Sequence, residues 1–269
     1  MQTAKPEAPE HLIIDRKLSA SSTDSTMAQP PTPPEFEQQS SVSSVSTLAE
    51  KVAQSLLGKC TNFHHLTFWV SNAKQAALYF CVHYGFDLYA YAGLETGSRD
   101  IASHVVRQGR ILIQFSSPLT ERAAELTAHI ARHGDGVRDI AFEVDSVERV
   151  LERARNKGAK VLQNLQTSED SNGRVKTATV SAFGDTCHTF VEKQHYQGCF
   201  LPNYVLVKRE LLLLKQLPPV GLEFIDHCVA GQLDNDMKNV SDWYQHNLAF
   251  HRFWSVDDVD IVTDYSSLR

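Results

Sequence analysis

The pattern of hydrophobic and polar positions predicts a structural module that begins near residue 63. FHHLTFWV, residues 63–70, is typical of a strand, and SNAKQAALYFCVHYG follows it with apolar residues at helical spacing before Gly85. Three alternating runs rich in aromatic and β-branched residues come next: FDLYAYAG, RDIASHVVRQG and RILIQFSS, with glycines at the turns. The predicted unit is one strand, one helix and three strands, βαβββ.

The same order of elements starts again at residue 136. DIAFEV predicts a strand, and SVERVLERARNKG predicts a helix with Ser146 as its N-cap and a glycine after it. One face of this helix is apolar and carries Val147, Val150, Leu151 and Ala154. The strands KTATVSAFG and CHTFVEK follow. We therefore predict an α+β domain of two paired βαβββ modules over residues 60–200.

A third copy of the pattern begins at residue 226. HHLTFWVSNAKQAALYFCVHYGF aligns with DHCVAGQLDNDMKNVSDWYQHNLAF, which has two extra residues. In this alignment His65 falls against His227, Tyr79 near Tyr244, and Phe86 against Phe250. The sequence thus predicts a linker over residues 201–220, closed by a proline pair. Residues 221–269 are predicted to be the first module of an incomplete second domain.

The first 59 residues have a different composition. The first 58 contain six of the ten prolines, ten serines and a single aromatic residue, Phe36. Such a segment buries too little apolar surface to offset its ordering entropy, so residues 1–59 are predicted to be a disordered tail. The stretch VSTLAEKVAQSLLGK at its end has weak helical character.

Charge and cysteine content exclude several classes of protein. A net charge of −6 and an isoelectric point near 6.0 argue against binding to nucleic acid or an anionic membrane. No apolar run is long enough to span a bilayer. The five cysteines form no C-x-x-C pair, which favours reduced thiols and a cytoplasmic location.

Several longer strings resemble one enzyme family. Paired βαβββ modules resemble the vicinal-oxygen-chelate fold of glyoxalases and extradiol dioxygenases. TFWVSNAKQAALYF, HGDGVRDIAFEV, GDTCHTFVEK and above all WYQHNLAFHRFWSVDD are similar to 4-hydroxyphenylpyruvate dioxygenases of the animal type. The resemblance extends from Phe63 to Arg269. It implies an Fe(II) enzyme of tyrosine and phenylalanine catabolism that converts 4-hydroxyphenylpyruvate and O₂ to homogentisate and CO₂, in a family that tends to form homo-oligomers.

The resemblance also implies one site residue. The family holds its iron in the C-terminal domain with two histidines and one glutamate, and the string IDHCVAG makes His227 the first of them. The second histidine, the glutamate and the substrate-contacting residues are expected beyond Arg269. The resemblance therefore implies a C-terminally truncated chain that is inactive by itself. Three ligands on one face of an octahedral iron leave room for a chelating 2-keto acid and O₂.

Other metal sites and other roles are weaker alternatives. His65, Asp139 and Glu192 occupy repeat-related places in the first domain, but related dioxygenases carry no metal there, and the alignment of module ends favours Thr189 over Glu192. FWSVDDVD lacks the pattern of a calcium loop. Six further histidines are assigned structural or surface places: His64 and His188 in the sheet, and His83, His104, His129 and His133 at the surface.

Two alternative functions remain open. The first is a non-catalytic interaction protein built on the first domain, whose sheet pairs with a partner subunit. The second is a dioxygenase like hydroxymandelate synthase, which shares the fold and the substrate. The animal-type strings favour formation of homogentisate.

Overall fold

Nine strands form one mixed sheet in the computed structural model, which describes residues 10–15, 58–208, 212, 214–233, 236–253, 255–256 and 267–268. The first module comprises β2 (Cys60–Trp69), α1 (Ala73–Tyr84), β3 (Asp87–Ala92), β4 (Ile101–Gln108) and β5 (Ile111–Pro118). The second comprises β6 (Gly136–Val144), α3 (Val147–Asn156), β7 (Val161–Asp170), β8 (Gly173–Ser181) and β9 (Cys187–Glu192). The helix α2 (Ala124–His133) connects them.

The remaining elements are shorter. They are β1 (Glu10–Asp15), β10 (Val205–Leu206), β11 (His227–Gln232), α4 (Met237–Leu248), β12 (Ser255–Val256) and β13 (Ser267–Leu268). Single 3₁₀ turns lie at Leu94–Thr96 and Leu214–Gln216. The strand β10 pairs with β3 at the edge of the large sheet, so the predicted linker begins as part of that sheet.

The strand order β10-β3-β4-β5-β2-β6-β9-β8-β7 shows how the two modules combine. In each module the first strand pairs in parallel with the last, β2 with β5 and β6 with β9. The two first strands, β2 and β6, pair with each other antiparallel at the centre of the sheet. The predicted fold class of paired βαβββ modules is confirmed.

Helices α1 and α3 cover one face of this sheet. Asn72 and Ser146 cap their N-termini by accepting hydrogen bonds from the backbone N–H groups of Gln75 and Arg149. The apolar side of α3 packs against β6, β8 and β9. The predicted buried face of α3 is confirmed, because Val147, Val150, Leu151 and Ala154 are all buried.

The opposite face of the sheet is covered by the chain itself. Residues 196–204 run across it after β9, and Tyr196, Phe200 and Tyr204 pack on buried residues of both modules. Tyr204 also donates a hydrogen bond of 2.9 Å to the side-chain oxygen of Gln114 on β5. The concave side of the first domain is therefore filled with protein.

The third copy of the module keeps the helix of the first. Helices α1 and α4 are both twelve residues long, and both end at a left-handed residue, Gly85 with φ of 71° and Ala249 with φ of 55°. The next amide, of Phe86 or Phe250, donates to the carbonyl six residues earlier. The predicted equivalence of Phe86 and Phe250 is thus confirmed at the helix ends.

Part of the N-terminal segment is a strand rather than a disordered tail. The strand β1 pairs antiparallel with β11, with Asp15 opposite His227 and Glu10 opposite Gln232, in a four-stranded sheet ordered β11-β1-β13-β12. The apolar run Leu12–Ile14 favours this conformation, and the edge of β11 offers unpaired backbone groups. Most of the predicted helical patch and most of FWSVDDVD lie outside the described residues.

Helix α4 packs against the first domain rather than standing apart from it. Val240, Tyr244 and Leu248 join the apolar cluster that contains α3. The Tyr244 hydroxyl donates to Nε2 of buried His188 at 2.7 Å, while His188 Nδ1 donates to the Ile140 carbonyl at 2.9 Å. Arg153 of α3 donates a second hydrogen bond between the two units, to the Asn247 carbonyl at the C-terminus of α4.

Replacing Tyr244 by phenylalanine tests this contact. Tyr244→Phe keeps the ring but leaves Nε2 of His188 buried without its donor, so we expect unfolding free energy to fall by about 1–3 kcal/mol in urea denaturation. The matched control is Tyr79→Phe, whose side chain is 52% exposed, with an expected change below about 0.5 kcal/mol. Equal effects of the two substitutions would contradict the proposed role of the hydroxyl.

Candidate functional site

His227 is the first residue of β11, and its imidazole is oriented by the residue before it. Nδ1 lies 2.8 Å from Oδ2 of Asp226, and the His227 side chain is 39% exposed. A neutral imidazole that donates from Nδ1 to the carboxylate keeps the lone pair of Nε2 free for a ligand.

This arrangement fits a metal-binding histidine. Histidine ligands usually donate their second ring nitrogen to a carboxylate or carbonyl, which fixes the tautomer. The alternation of β11 turns the next residue inward, and Cys228 packs against the cluster around α3. Burial raises the pKa of the Cys228 thiol to about 11, so it remains protonated and a poor ligand. Within the described ranges, His227 is in no group of three potential metal ligands.

The repeat-related His65 lies in a different environment. A β-bulge between Phe63 and His65 places both His64 and His65 near the ring of Phe200, at centroid distances of 5.6 and 4.9 Å. Their Nδ1 atoms are 2.6 Å apart. Burial lowers the pKa of His65 to about 3 and lowers that of His64 as well, so both rings are neutral and one donates to the other.

The alternative site of His65, Asp139 and Glu192 does not form. Asp139 accepts a hydrogen bond of 2.9 Å from the Thr189 amide, and burial raises its pKa to about 6. Glu192 accepts one of 2.9 Å from the Val147 amide at the start of α3. Each carboxylate thus has another partner, and the three side chains form no group of potential ligands.

The six histidines that the sequence assigned to structural or surface places differ in burial. His64 and His188 are buried in the sheet with hydrogen bonds to neighbours, as predicted. His83 and His133 are exposed, as predicted, whereas His104 and His129 are half-buried. The sequence showed no partner for His129 and His133, but the fold brings both to Asp185. Their four-residue spacing on a helix was the signal available in the sequence.

A surface cavity of about 670 Å³ lies beside α4 and the turn between β8 and β9. Phe183 and Trp243 provide its aromatic walls, and Asp236 and Asn239 contribute polar groups. His227 does not line it, so this cavity is separate from the candidate metal ligand.

Comparison with known proteins first defines the class. Residues 64–175 match the model of the Glyoxalase/Bleomycin resistance protein/Dioxygenase superfamily. A solved mutant of 4-hydroxymandelate synthase from Streptomyces coelicolor superimposes with a TM-score of 0.59 at 20% identity, over 78% of this chain and 62% of that one. The structural match supports the same fold.

Curated relatives then identify the particular family that the chain resembles. The 4-hydroxyphenylpyruvate dioxygenase of Danio rerio is 50% identical over 213 residues, which cover 79% of this chain and 54% of the relative. That of Xenopus tropicalis is 46% identical over 226 residues, which cover 84% of this chain and 57% of the relative. The predicted resemblance to 4-hydroxyphenylpyruvate dioxygenases is confirmed, and the chain spans slightly more than half the length of these relatives.

The buried histidines predict how stability depends on pH. Burial lowers the pKa of His188 to about 4 and that of His65 to about 3, below the ordinary 6.5. The unfolded chain therefore binds more protons below pH 6.5, and stability falls as the pH drops from 6.5 towards 4. Each of these histidines lowers the free energy of unfolding by about 2 kcal/mol between pH 6.5 and pH 5. Asp139 has the opposite effect below its pKa of about 6, because its carboxyl binds a proton more readily in the folded chain. The stability gained from this one carboxyl is smaller than the stability lost through the histidines.

The measurement is the unfolding free energy in urea at pH 7, 6 and 5. We expect His65→Gln to make the decline shallower, because the amide keeps a hydrogen bond to His64 but does not titrate. His83→Gln, at an exposed position, is the control and keeps the decline of the unmodified chain. A decline that His65→Gln leaves unchanged would show that this histidine is not buried in its neutral form.

Proposed function

We propose that the protein is a 4-hydroxyphenylpyruvate dioxygenase, which converts 4-hydroxyphenylpyruvate and O₂ to homogentisate and CO₂. The observation that carries the proposal is the 50% identity to the Danio rerio enzyme over 213 residues, which cover 79% of this chain. The similarity to 4-hydroxymandelate synthase is only 20% and supports the fold alone. Formation of homogentisate is therefore preferred over formation of hydroxymandelate.

In this proposal His227 is a protein ligand of Fe(II). Its Nδ1 is engaged by Asp226, so Nε2 is the ligating atom. The remaining ligands lie outside the described residues. When bound, the iron supplies the activation of O₂ and a chelation site for the 2-keto acid. An imidazole nitrogen suits Fe(II), and the Asp226 carboxylate adds a negative charge beside it.

The rest of the chain holds that histidine in place. The inward side chain of β11 at Cys228 packs on the cluster formed with α3, so the strand is anchored one residue from the ligand. Helix α4 follows β11 and is fixed to the first domain through Tyr244 and His188. The first domain thus acts as a scaffold for the metal-binding segment. Its own concave face, filled by Phe200 and Tyr204, offers no comparable ligand set among the described residues.

The proposed setting is the cytoplasm. All five cysteines are free thiols, which suits a reducing compartment. No helix within the described residues has the length and hydrophobicity to cross a membrane. The substrates are small molecules, and assembly into homo-oligomers remains a prediction from the family resemblance.

Oxygen uptake and product analysis test the proposal. The protein isolated from its source, supplied with Fe(II) and 4-hydroxyphenylpyruvate, is expected to consume O₂ and release homogentisate. Because removal of a group that only orients a ligand already costs 10–100-fold, we expect His227→Ala to lower turnover and iron content by roughly 100-fold or more. His251→Ala, an exposed histidine of the same segment, is the matched control and retains both.

The products separate the alternatives. Release of 4-hydroxymandelate would assign the hydroxymandelate synthase reaction instead. Absence of turnover together with full iron binding after His227→Ala would overturn the ligand assignment. Because the described residues contribute one proposed ligand, we expect the 269-residue chain by itself to bind Fe(II) weakly. Stoichiometric iron that survives His227→Ala in this chain would point to a different metal site.

A further inference from the structure

A second group of potential metal ligands lies on the outside of the first domain. His129 and His133 are one turn apart on α2, and Asp185 lies in the turn between β8 and β9. One ligand atom from each of the three residues lies within 4.8 Å of the other two. The spacing of four residues puts both imidazoles on the same face of the helix.

Neighbouring aromatic and cationic groups fix the geometry of this cluster. The ring of Trp69 meets His129 edge-on at 5.1 Å. The Arg138 guanidinium lies over the ring of Trp69, 4.8 Å from the ring centre, and donates to the backbone carbonyl of Asp185 and to Glu125. Since the Arg138 side chain is only 11% exposed, the turn that carries Asp185 is held against α2.

The distances within the cluster are close to those around a bound ion. Nε2 of His133 lies 2.8 Å from Oδ2 of Asp185, and the rings of His129 and His133 are 4.6 Å apart. Two ligands of a tetrahedral Zn²⁺ lie roughly 3.3 Å from each other, so small side-chain rotations suffice. Arg132 also reaches Oδ2 at 2.9 Å, but its side chain is 71% exposed and the exposed ion pair contributes little.

We propose that His129, His133 and Asp185 form a surface site for a divalent transition-metal ion, with Zn²⁺ as the best match and water as the fourth ligand. Two imidazole nitrogens and one carboxylate favour Zn²⁺ over Mg²⁺ and Ca²⁺, which prefer oxygen ligands. The site is independent of the Fe(II) site proposed at His227. A bound ion joins α2, which connects the modules, to the β8–β9 turn of the second module.

Titration of the 269-residue chain with zinc chloride tests the proposal. We expect one equivalent of Zn²⁺ to bind and to raise the melting temperature, because an ion that binds only the folded state stabilises it. His133→Gln, at an exposed position, and Asp185→Asn are expected to weaken binding by at least 10-fold and to abolish the thermal shift. Co²⁺ in place of Zn²⁺ is expected to give the intense visible absorption of a tetrahedral site, lost in both variants.

Controls separate this site from the others. His83→Gln removes an exposed histidine from α1 and is expected to leave Zn²⁺ affinity unchanged. His227→Ala is expected to remove the proposed Fe(II) ligand but retain the Zn²⁺ equivalent, so the two proposals fail separately. Zn²⁺ binding that survives both His133→Gln and Asp185→Asn, or that requires millimolar zinc in the unmodified chain, overturns the proposal. Unchanged circular dichroism confirms that the variants are folded.

Discussion

The antiparallel pairing of β2 with β6 is the constraint on which the rest of the structure depends. It joins the first strands of two βαβββ modules, so two smaller half-sheets become one sheet of nine strands. The pairing sets both helices, α1 and α3, on the same face and leaves the opposite face concave. A bulge in this pairing turns two consecutive histidines, His64 and His65, towards that face. Regular strand alternation would have placed them on opposite faces of the sheet.

What covers each face decides where chemistry can occur. The chain returns across the concave face after β9 and buries Phe200 completely. There the imidazoles of His64 and His65 bond to each other, and Tyr204 donates to Gln114. In the third module, the strand that corresponds to β2 has no such cover over His227 among the described residues, and that imidazole is exposed. The same module pattern thus gives a filled concave face in the first domain and an exposed imidazole in the third module.

Much of the first domain follows from sequence, because its strands alternate and its helices carry caps and apolar faces. The sequence did not predict β7, because its mostly exposed polar residues show no regular alternation. It did not predict α2, because Ala123 supplies no side-chain cap at the start of that helix. The family resemblance, supported by the repeat, makes His227 a candidate iron ligand, and this stays a prediction. Asp185 is separated from His133 by 52 residues, and only the folded sheet brings them together. The pairing of β1 with β11 likewise joins segments too distant for a local pattern to connect.

The shared core of α3 and α4 has a consequence for how the polypeptide can be divided. A fragment that stops at residue 200 retains most of the large sheet but uncovers the part of the apolar cluster around α3 against which α4 packs, and it removes the hydrogen-bond donor of a buried histidine. Such a fragment is a poor choice for expression or crystallisation, since uncovered apolar surface promotes aggregation. The boundaries of the sequence repeat therefore differ from those of the packed unit. The packed unit consists of the large sheet together with α4.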